Sequence, residues 1–202
     1  MSRSNWKGSS GFEAVNDPTG VLDRMCLQAS TGMYQRCEEY LIQEIGTSNT
    51  FNKNHYNILF DFAISADEDF NGSLAIIARA GNYTAVATKP VMAQNCYIVN
   101  ITKTKIEIFR RINNVSRSLV TSKVRFNFFP NIKYNVSLKC YGNTSVGATY
   151  LQLYINGQLL TSLIDSSGLQ ITTGVPGFGV WNGSVYLNNF VVMELDSSGF
   201  AV

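Results

Sequence analysis

Residues 132–140 read IKYNVSLKC, in which Ile132, Tyr134, Val136, Leu138 and Cys140 alternate with Lys133, Asn135, Ser137 and Lys139. Successive side chains of an extended chain point to opposite faces, so this pattern predicts a strand with its apolar side inward and its polar side outward. Downstream, two apolar runs over 149–155 and 158–164 flank Asn156-Gly157. That dipeptide accepts the positive φ angles of a two-residue hairpin turn. Upstream, 57–65 places Ile58, Phe60, Phe62 and Ile64 on one side. Further strands are predicted over 73–80, 96–101, 104–111, 117–124, 176–181 and 184–195, with Asn71-Gly72 and Asn182-Gly183 as additional turns. No helical period of comparable length competes. Short strands at regular spacing, punctuated by turns, mean an antiparallel sandwich or barrel rather than a parallel sheet with crossover helices.

The composition agrees. The chain has 202 residues, a length that fits one domain, with 45% hydrophobic residues, 15% charged residues, 10 Tyr and 12 Phe, a profile suited to pleated, half-buried surfaces. Residues 1–11 (MSRSNWKGSSG) read as a flexible arm that orders against a partner, leaving 12–202 as a single domain. Residues 36–45 (RCEEYLIQEI) read as a short strand in preference to a helix. No stretch approaches the roughly 18 apolar residues that cross a bilayer, and the first thirty residues hold no continuous apolar core. Neither membrane insertion nor a signal peptide is expected.

Cys26, Cys37, Cys96 and Cys140 lack CxxC spacing and His55 is the one histidine, which argues against a zinc site. The even count allows two disulfides in any of three pairings, or free buried thiols. The net charge of +2 conceals a division: residues 70–164 hold eleven of the 16 basic residues and one of the 14 acids, Glu107, so this segment is +10 and the remainder −8. Such asymmetry points to an anionic partner or to complementary contact between copies or with other proteins, for which Lys103, Lys105, Arg110 and Arg111 are the candidate contacts. The alternative is an ordinary solvated strand face.

Four segments carry a family resemblance: FDFAIS at 60–65 followed by SLAIIAR ending in Arg79; YIVNITKTKIEIFRR at 97–111; YNVSLKCYG at 134–142 with LQLYINGQLL at 151–160; and GVPGFGVWNGSVYLNNFVV at 174–192. On these, the region 57–195 resembles the concanavalin A-like lectin and glucanase superfamily, particularly its laminin-G-like members. The resemblance implies an all-β, concanavalin A-like jelly-roll β-sandwich of two antiparallel sheets. The superfamily holds lectins, glycosidases, adhesion modules and virion pieces, so the resemblance names a fold and not a ligand.

Its laminarinase-type hydrolases carry a Glu-x-Asp-x-(x)-Glu strand motif whose acids serve as nucleophile, helper and proton donor. The partial match here, Glu194-Leu195-Asp196, is followed by Ser197, Ser198 and Gly199, so the third acid is missing. It also falls at the end of the chain, where the family's catalytic strand does not occur. Asp67-Glu68-Asp69 reads either as a solvated turn or as a calcium-binding rim loop, to which Asp165 would add a carboxylate. A Ser-His-Asp triad would have to use His55, and no Gly-x-Ser-x-Gly elbow is present. GVPGFG at 174–179 lacks the Lys and Ser/Thr of a phosphate loop and suits a tight sandwich corner. No catalytic residue is therefore assigned.

A sugar site needs an aromatic face for the ring and amides or charges for the hydroxyls. Tyr83, Tyr97, Trp181, Asn182 and Tyr186, with Arg79, are the candidates near predicted strand ends; the alternative for each aromatic is a place in the core. With no recognition helix, finger or RNA-binding motif, no nucleic-acid partner is expected. The favoured function is a non-catalytic, lectin-like structural, decoration or adhesion component of an exposed assembly such as a phage capsid or tail, contacting cell-surface glycans. A free carbohydrate-binding module is the alternative, with a glycoside hydrolase behind it. Seven Asn-x-Ser/Thr sequons, at Asn71, Asn82, Asn100, Asn114, Asn135, Asn143 and Asn182, fall at predicted turns or outward strand positions. Glycosylation and the preference of Asn for turns both account for that placement.

Overall fold

The structure is a computed structural model that describes residues 6–8, 12–22, 25–30, 38–43, 54–65, 72–83, 93–123, 128–142, 145, 147–181 and 184–202. These residues form strands and turns without a helix. In chain order the strands are β1 (Trp6–Gly8), β2 (Phe12–Asn16), β3 (Met25–Ser30), β4 (Glu38–Gln43), β5 (Tyr56–Ala63), β6 (Ser73–Tyr83), β7 (Ala93–Ile101), β8 (Lys105–Ile112), β9 (Val115–Lys123), β10 (Tyr134–Tyr141), β11 (Thr149–Ile155), β12 (Gln158–Asp165), β13 (Val175–Trp181) and β14 (Ser184–Glu194). Sheet A runs β1-β4-β13-β6-β7-β8-β9 and sheet B runs β12-β11-β10-β5-β14-β3-β2. Each neighbouring pair is antiparallel, and the two sheets stack as a jelly-roll β-sandwich.

The alternation read in the sequence generates this arrangement. Ile58, Phe60 and Phe62 of β5 and Val136, Leu138 and Cys140 of β10 lie at 0–2% exposure in the central core. Phe60 meets Phe178 of sheet A edge to face, with ring centroids 4.9 Å apart, a geometry that adds to the area term of two buried aromatics. Ile132 departs from the expectation: it precedes β10, beside the exposed Pro130 and Asn131, and is 47% exposed. Asn156 and Gly157 have φ of 50° and 77° and turn β11 into β12 as expected. Asn113 and Asn114, at 49° and 69°, do the same between β8 and β9.

Residues 38–43 are a strand, paired with β13 on one side and β1 on the other. Within the segment read as an arm, Trp6–Gly8 pairs with β4 as the end strand of sheet A. Two strands that alternation did not single out, β2 and β3, complete sheet B.

The outer faces of the two sheets differ. On sheet A, Ala75, Ile77, Ala80, Cys96, Ile98 and Val175 form a second buried apolar cluster, which explains the nearly unbroken apolar run LAIIARA in β6: both of its faces are covered. On sheet B the outward positions of β5, β10 and β11 are mostly polar or aromatic, with Leu59 and Ala63 of β5 as the apolar exceptions. Cys96 and Cys140 are free and buried; burial pushes the Cys96 thiol up to about 12 and raises Cys140 as well, so both are inert core residues.

Candidate functional site

Strand β6 carries one residue more than its neighbours around Arg79. From Ala78 to Gly81 it faces Tyr97 to Asn95 of β7, and from Ile77 to Ala80 it faces Gly177 to Val175 of β13. Arg79 is the extra residue, at φ 53°, a left-handed conformation that costs a non-glycine residue on the order of 1–3 kcal/mol. The bulge aims its side chain across the sandwich. Nε and Nη2 donate to the Asn54 carbonyl at 3.2 and 2.9 Å, Nη2 also to Gly142 O at 2.6 Å, and Nη1 to Thr149 Oγ1 and Ile171 O, each at 2.6 Å. Its backbone N–H donates to the Tyr56 hydroxyl at 2.6 Å. Arg79 is 0% exposed, so it ties the sheets together from inside and offers no donor to a ligand, which corrects its assignment as a binding residue.

Asp165 and Tyr97 extend this network. Tyr97 is 0% exposed; its hydroxyl donates to Asp165 Oδ2 at 2.6 Å and accepts the Ile171 N–H at 3.1 Å. Arg110 Nη1 lies 2.8 Å from both Asp165 oxygens, and Ser167 Oγ donates to Oδ1 at 2.7 Å. Burial pushes the Asp165 carboxyl up, but the bonds from Tyr97, Ser167 and Arg110 outweigh it and hold the group below its ordinary value. Three corrections follow. Tyr97 presents no face to a sugar, Arg110 at 5% exposure is not an assembly contact, and the Asp165 oxygens are occupied by donors rather than open to calcium. Among the described residues no cluster of three or more His, Cys, Asp or Glu could hold a metal.

The remaining candidates scatter. Tyr186 sits opposite Ala63 on β14 at 4% exposure and so has no open face for stacking. Tyr83 and Trp181 lie at the ends of β6 and β13, whereas Asn182, Asp67 and Asp69 fall outside the described residues. Lys103 and Lys105 are exposed at the β7–β8 turn, with Lys105 Nζ 2.7 Å from Glu107. Arg111 lies over the β8–β9 turn, donating to Asn114 Oδ1 at 3.2 Å. Asp196, the second acid of the partial hydrolase match, caps the turn after β14 by accepting the Ser198 and Phe200 N–H groups at 2.8 and 3.0 Å. These backbone amides lower its pKa.

What the structure brings together instead lies on the outer face of sheet B, in three cross-strand rows. The first aligns Asn188, Asp61 and Asn135; the second Val191, Leu59, Ser137 and Tyr154; the third Met193, Asn57, Lys139 and Gln152. Between them opens a cleft of about 390 Å³ lined by Leu59, Asn135, Ser137, Lys139, Tyr154 and the Gly157 turn, with Val136 contributing from the strand. Its polar groups are held in place by one another. Asp61 accepts from Asn135 and from Asn189 Nδ2, the latter at 2.9 Å, and Ser137 Oγ donates to Asn57 Oδ1 at 2.8 Å. The Tyr154 hydroxyl donates to Gln152 Oε1 at 3.3 Å, fixing a half-buried ring at the cleft wall. A second bulge, at Asn189 with φ 51°, brings its amide onto Asp61. An aromatic wall with amide, hydroxyl and ammonium groups is suited to hydrogen-bonding a polar, ring-shaped ligand. Sequence reasoning passed over this face because outward Lys133, Asn135, Ser137 and Lys139 look like any solvated strand side. The signal was the outward pair Gln152 and Tyr154 on the next strand, β11, which lies beside β10.

The sequence matches no family model and no curated protein. Solved structures do match it. The carbohydrate-binding module CBM66 from Bacillus subtilis superposes with a TM-score of 0.65 at 16% identity, covering 95% of this chain and 96% of that one. The carbohydrate recognition domain of Emp46p, in a potassium-bound form, gives 0.61 at 11% identity, over 94% of this chain and 88% of its own. A carbohydrate esterase from the Shiga toxin-encoding bacteriophage phi24B gives 0.54 at 15% identity, over 96% and 91%. At such identities the likeness establishes the fold, and the fold it establishes along nearly the whole chain is the jelly-roll β-sandwich.

Proposed function

We propose that the chain is a non-catalytic glycan-binding module, that it binds through the outer face of sheet B, and that it serves as a structural, decoration or adhesion component of an exposed assembly such as a virion. The observation that carries the reading is the cleft at Tyr154, where an aromatic ring stands beside Asn135, Ser137 and Lys139 on a rigid sheet. Its fold is that of a carbohydrate-binding module of the same length, and a phage carbohydrate esterase shares it. The catalytic alternative is disfavoured because Asp196 serves as a turn cap. Contacts with other copies or other proteins would use the exposed lysines of the β7–β8 turn, and cell-surface glycans would occupy the cleft.

A glycan array read with the wild type and with Tyr154→Ala tests it. Tyr154 is only half-buried, so the variant is expected to keep its melting temperature within a few degrees and lose glycan binding. A folded wild type that binds no glycan, or glycan cleavage that accompanies binding, overturns the reading.

A further inference from the structure

Among the described residues, Lys139 is the one cation lining the cleft, and its surroundings are unusual for a half-buried ammonium. Its cross-strand neighbours are two neutral amides, Asn57 on β5 and Gln152 on β11. Among the described residues no carboxylate pairs with it, and its hydrogen bond is a long one, 3.5 Å to the Gly199 carbonyl. Gly199 is held in place: a Cβ there would lie 2.9 Å from the Tyr141 ring, and the Asp196 turn fixes its backbone. The acid within these three rows, Asp61, is two rows away and engaged by Asn135, Asn189 and Lys133. The site thus holds a positive charge whose counter-charge is not supplied by its neighbours. The +10 segment to which β10 belongs adds a long-range field of the same sign.

We propose that the glycan taken by this cleft is anionic, its sugar ring lying against Tyr154 and its carboxylate or sulfate on Lys139. This rests on the glycan-binding reading and specifies its ligand class. Tyr154 faces Ser137, two residues before Lys139 on β10, so the two are diagonal neighbours at roughly 7–8 Å between Cα atoms. That span suits one sugar ring bearing an exocyclic anion. The pairing also gives the cleft polarity: apolar Leu59 and the Tyr154 ring at its middle, amide groups of Asn135 at one end, the ammonium at the other.

The test is the affinity of wild type, Lys139→Gln and Tyr154→Ala for tetragalacturonate, for its methyl ester, and for a carrageenan tetrasaccharide that bears sulfate without carboxylate, alongside an array of neutral and acidic glycans. The wild type is expected to favour acidic over neutral glycans. Lys139→Gln should lower acidic-glycan affinity roughly tenfold or more, the scale of one charge-assisted hydrogen bond, and leave neutral ligands within about twofold. Preference for the uronate over the sulfated probe identifies carboxylate as the anion, and the reverse identifies sulfate. Equal affinity for neutral and acidic glycans, or no change in Lys139→Gln, overturns the anionic assignment while leaving the glycan-binding reading standing. Failure of the wild type to bind any glycan removes both.

Discussion

Arg110 of β8 and Asp165 of β12 meet across the edge of the sandwich, with one guanidinium nitrogen 2.8 Å from both carboxylate oxygens and the side chains 5% and 3% exposed. Each charge is removed from water and depends on the other, so removing one partner leaves an uncompensated buried ion. Asp165→Asn is expected to lower stability by about 3–5 kcal/mol, and Arg110→Met by a similar amount. The double variant should lose much less than the two together, the signature of a coupled pair. Denaturant unfolding of the four proteins measures this, and additive losses would show that the two groups act separately.

The same pair sets an acid limit. The Asp165 carboxyl has its pKa lowered in the fold, against about 3.9 in an unfolded chain. Its stabilising contribution is therefore fully present above about pH 4 and is lost as pH falls through the lowered folded value. A stability profile from pH 6 to 2 should show this acid-side loss in the wild type and a shallower slope in Asp165→Asn.

Among the described residues, Arg79 is expected to tolerate replacement poorly. It is fully buried and its donors are matched to three backbone carbonyls and the Thr149 hydroxyl. Lysine keeps the charge but lacks the planar fork, so Arg79→Lys should fail to restore the network. Both Arg79→Lys and Arg79→Met should cost about 3 kcal/mol or more in thermal or denaturant unfolding. A near-normal melting temperature for Arg79→Lys would show that the carbonyls are satisfied without the guanidinium geometry.

The two bulges explain what was and was not legible in the sequence. Strict alternation in 132–140 and 57–65, together with Asn156-Gly157, is enough to place the central strands of sheet B and to predict a sandwich or barrel, whereas the jelly roll of two antiparallel sheets is what the family resemblance implies. Alternation also implies that Arg79 points outward with Ile77, and the inserted residue at φ 53° reverses this. Nothing in SLAIIAR announces a left-handed arginine, because its cause is non-local: the carbonyls of Asn54, Gly142 and Ile171 come from distant turns. Tyr97 and Asp165 were candidates for the same chemical reason that makes them structural, since groups able to bind ligands also bind each other. The cleft was missed for the converse reason. Its residues are individually ordinary and become a site only when the register sets Tyr154 beside Ser137 and Lys139 beside Asn57.

Gly174 tests the corner read in GVPGFG. At φ 135° it lies so close to β6 that a Cβ would fall 2.3 Å from the Arg79 carbonyl carbon and 2.7 Å from the Ala80 oxygen. These are backbone atoms of a bulge whose Arg79 is held by hydrogen bonds through both its backbone N–H and its guanidinium. Gly174→Ala is expected to destabilise by more than the backbone strain of about 1–3 kcal/mol alone. Gly157→Ala is the control: it also has positive φ, at 77°, but nothing lies within 4 Å, so it should show strain alone, on the order of 1–2 kcal/mol. Equal losses at the two sites would mean that the close approach at Gly174 relaxes without cost.

The assembly part of the proposed function is tested at the β7–β8 turn. Lys103 and Lys105 are exposed, and Lys105 stands directly opposite Lys123 on the edge strand β9. Like charges opposed across strands are mildly unfavourable, so Lys105→Glu replaces a repulsion with an attraction while giving up the exposed contact to Glu107. The two effects are each worth about 0–1 kcal/mol and oppose one another. The double variant Lys103→Glu, Lys105→Glu should therefore fold with a nearly unchanged melting temperature, which separates any loss of assembly from a loss of structure. If the positive surface meets an acidic neighbour in a particle, incorporation of the double variant falls, and incorporation of the wild type weakens as salt is raised. Normal incorporation of the double variant at both low and high salt would mean that these lysines are merely solvated and that contact is made elsewhere, with the exposed apolar side chains Leu159, Ile164 and Leu169 near β12 the next surface to change.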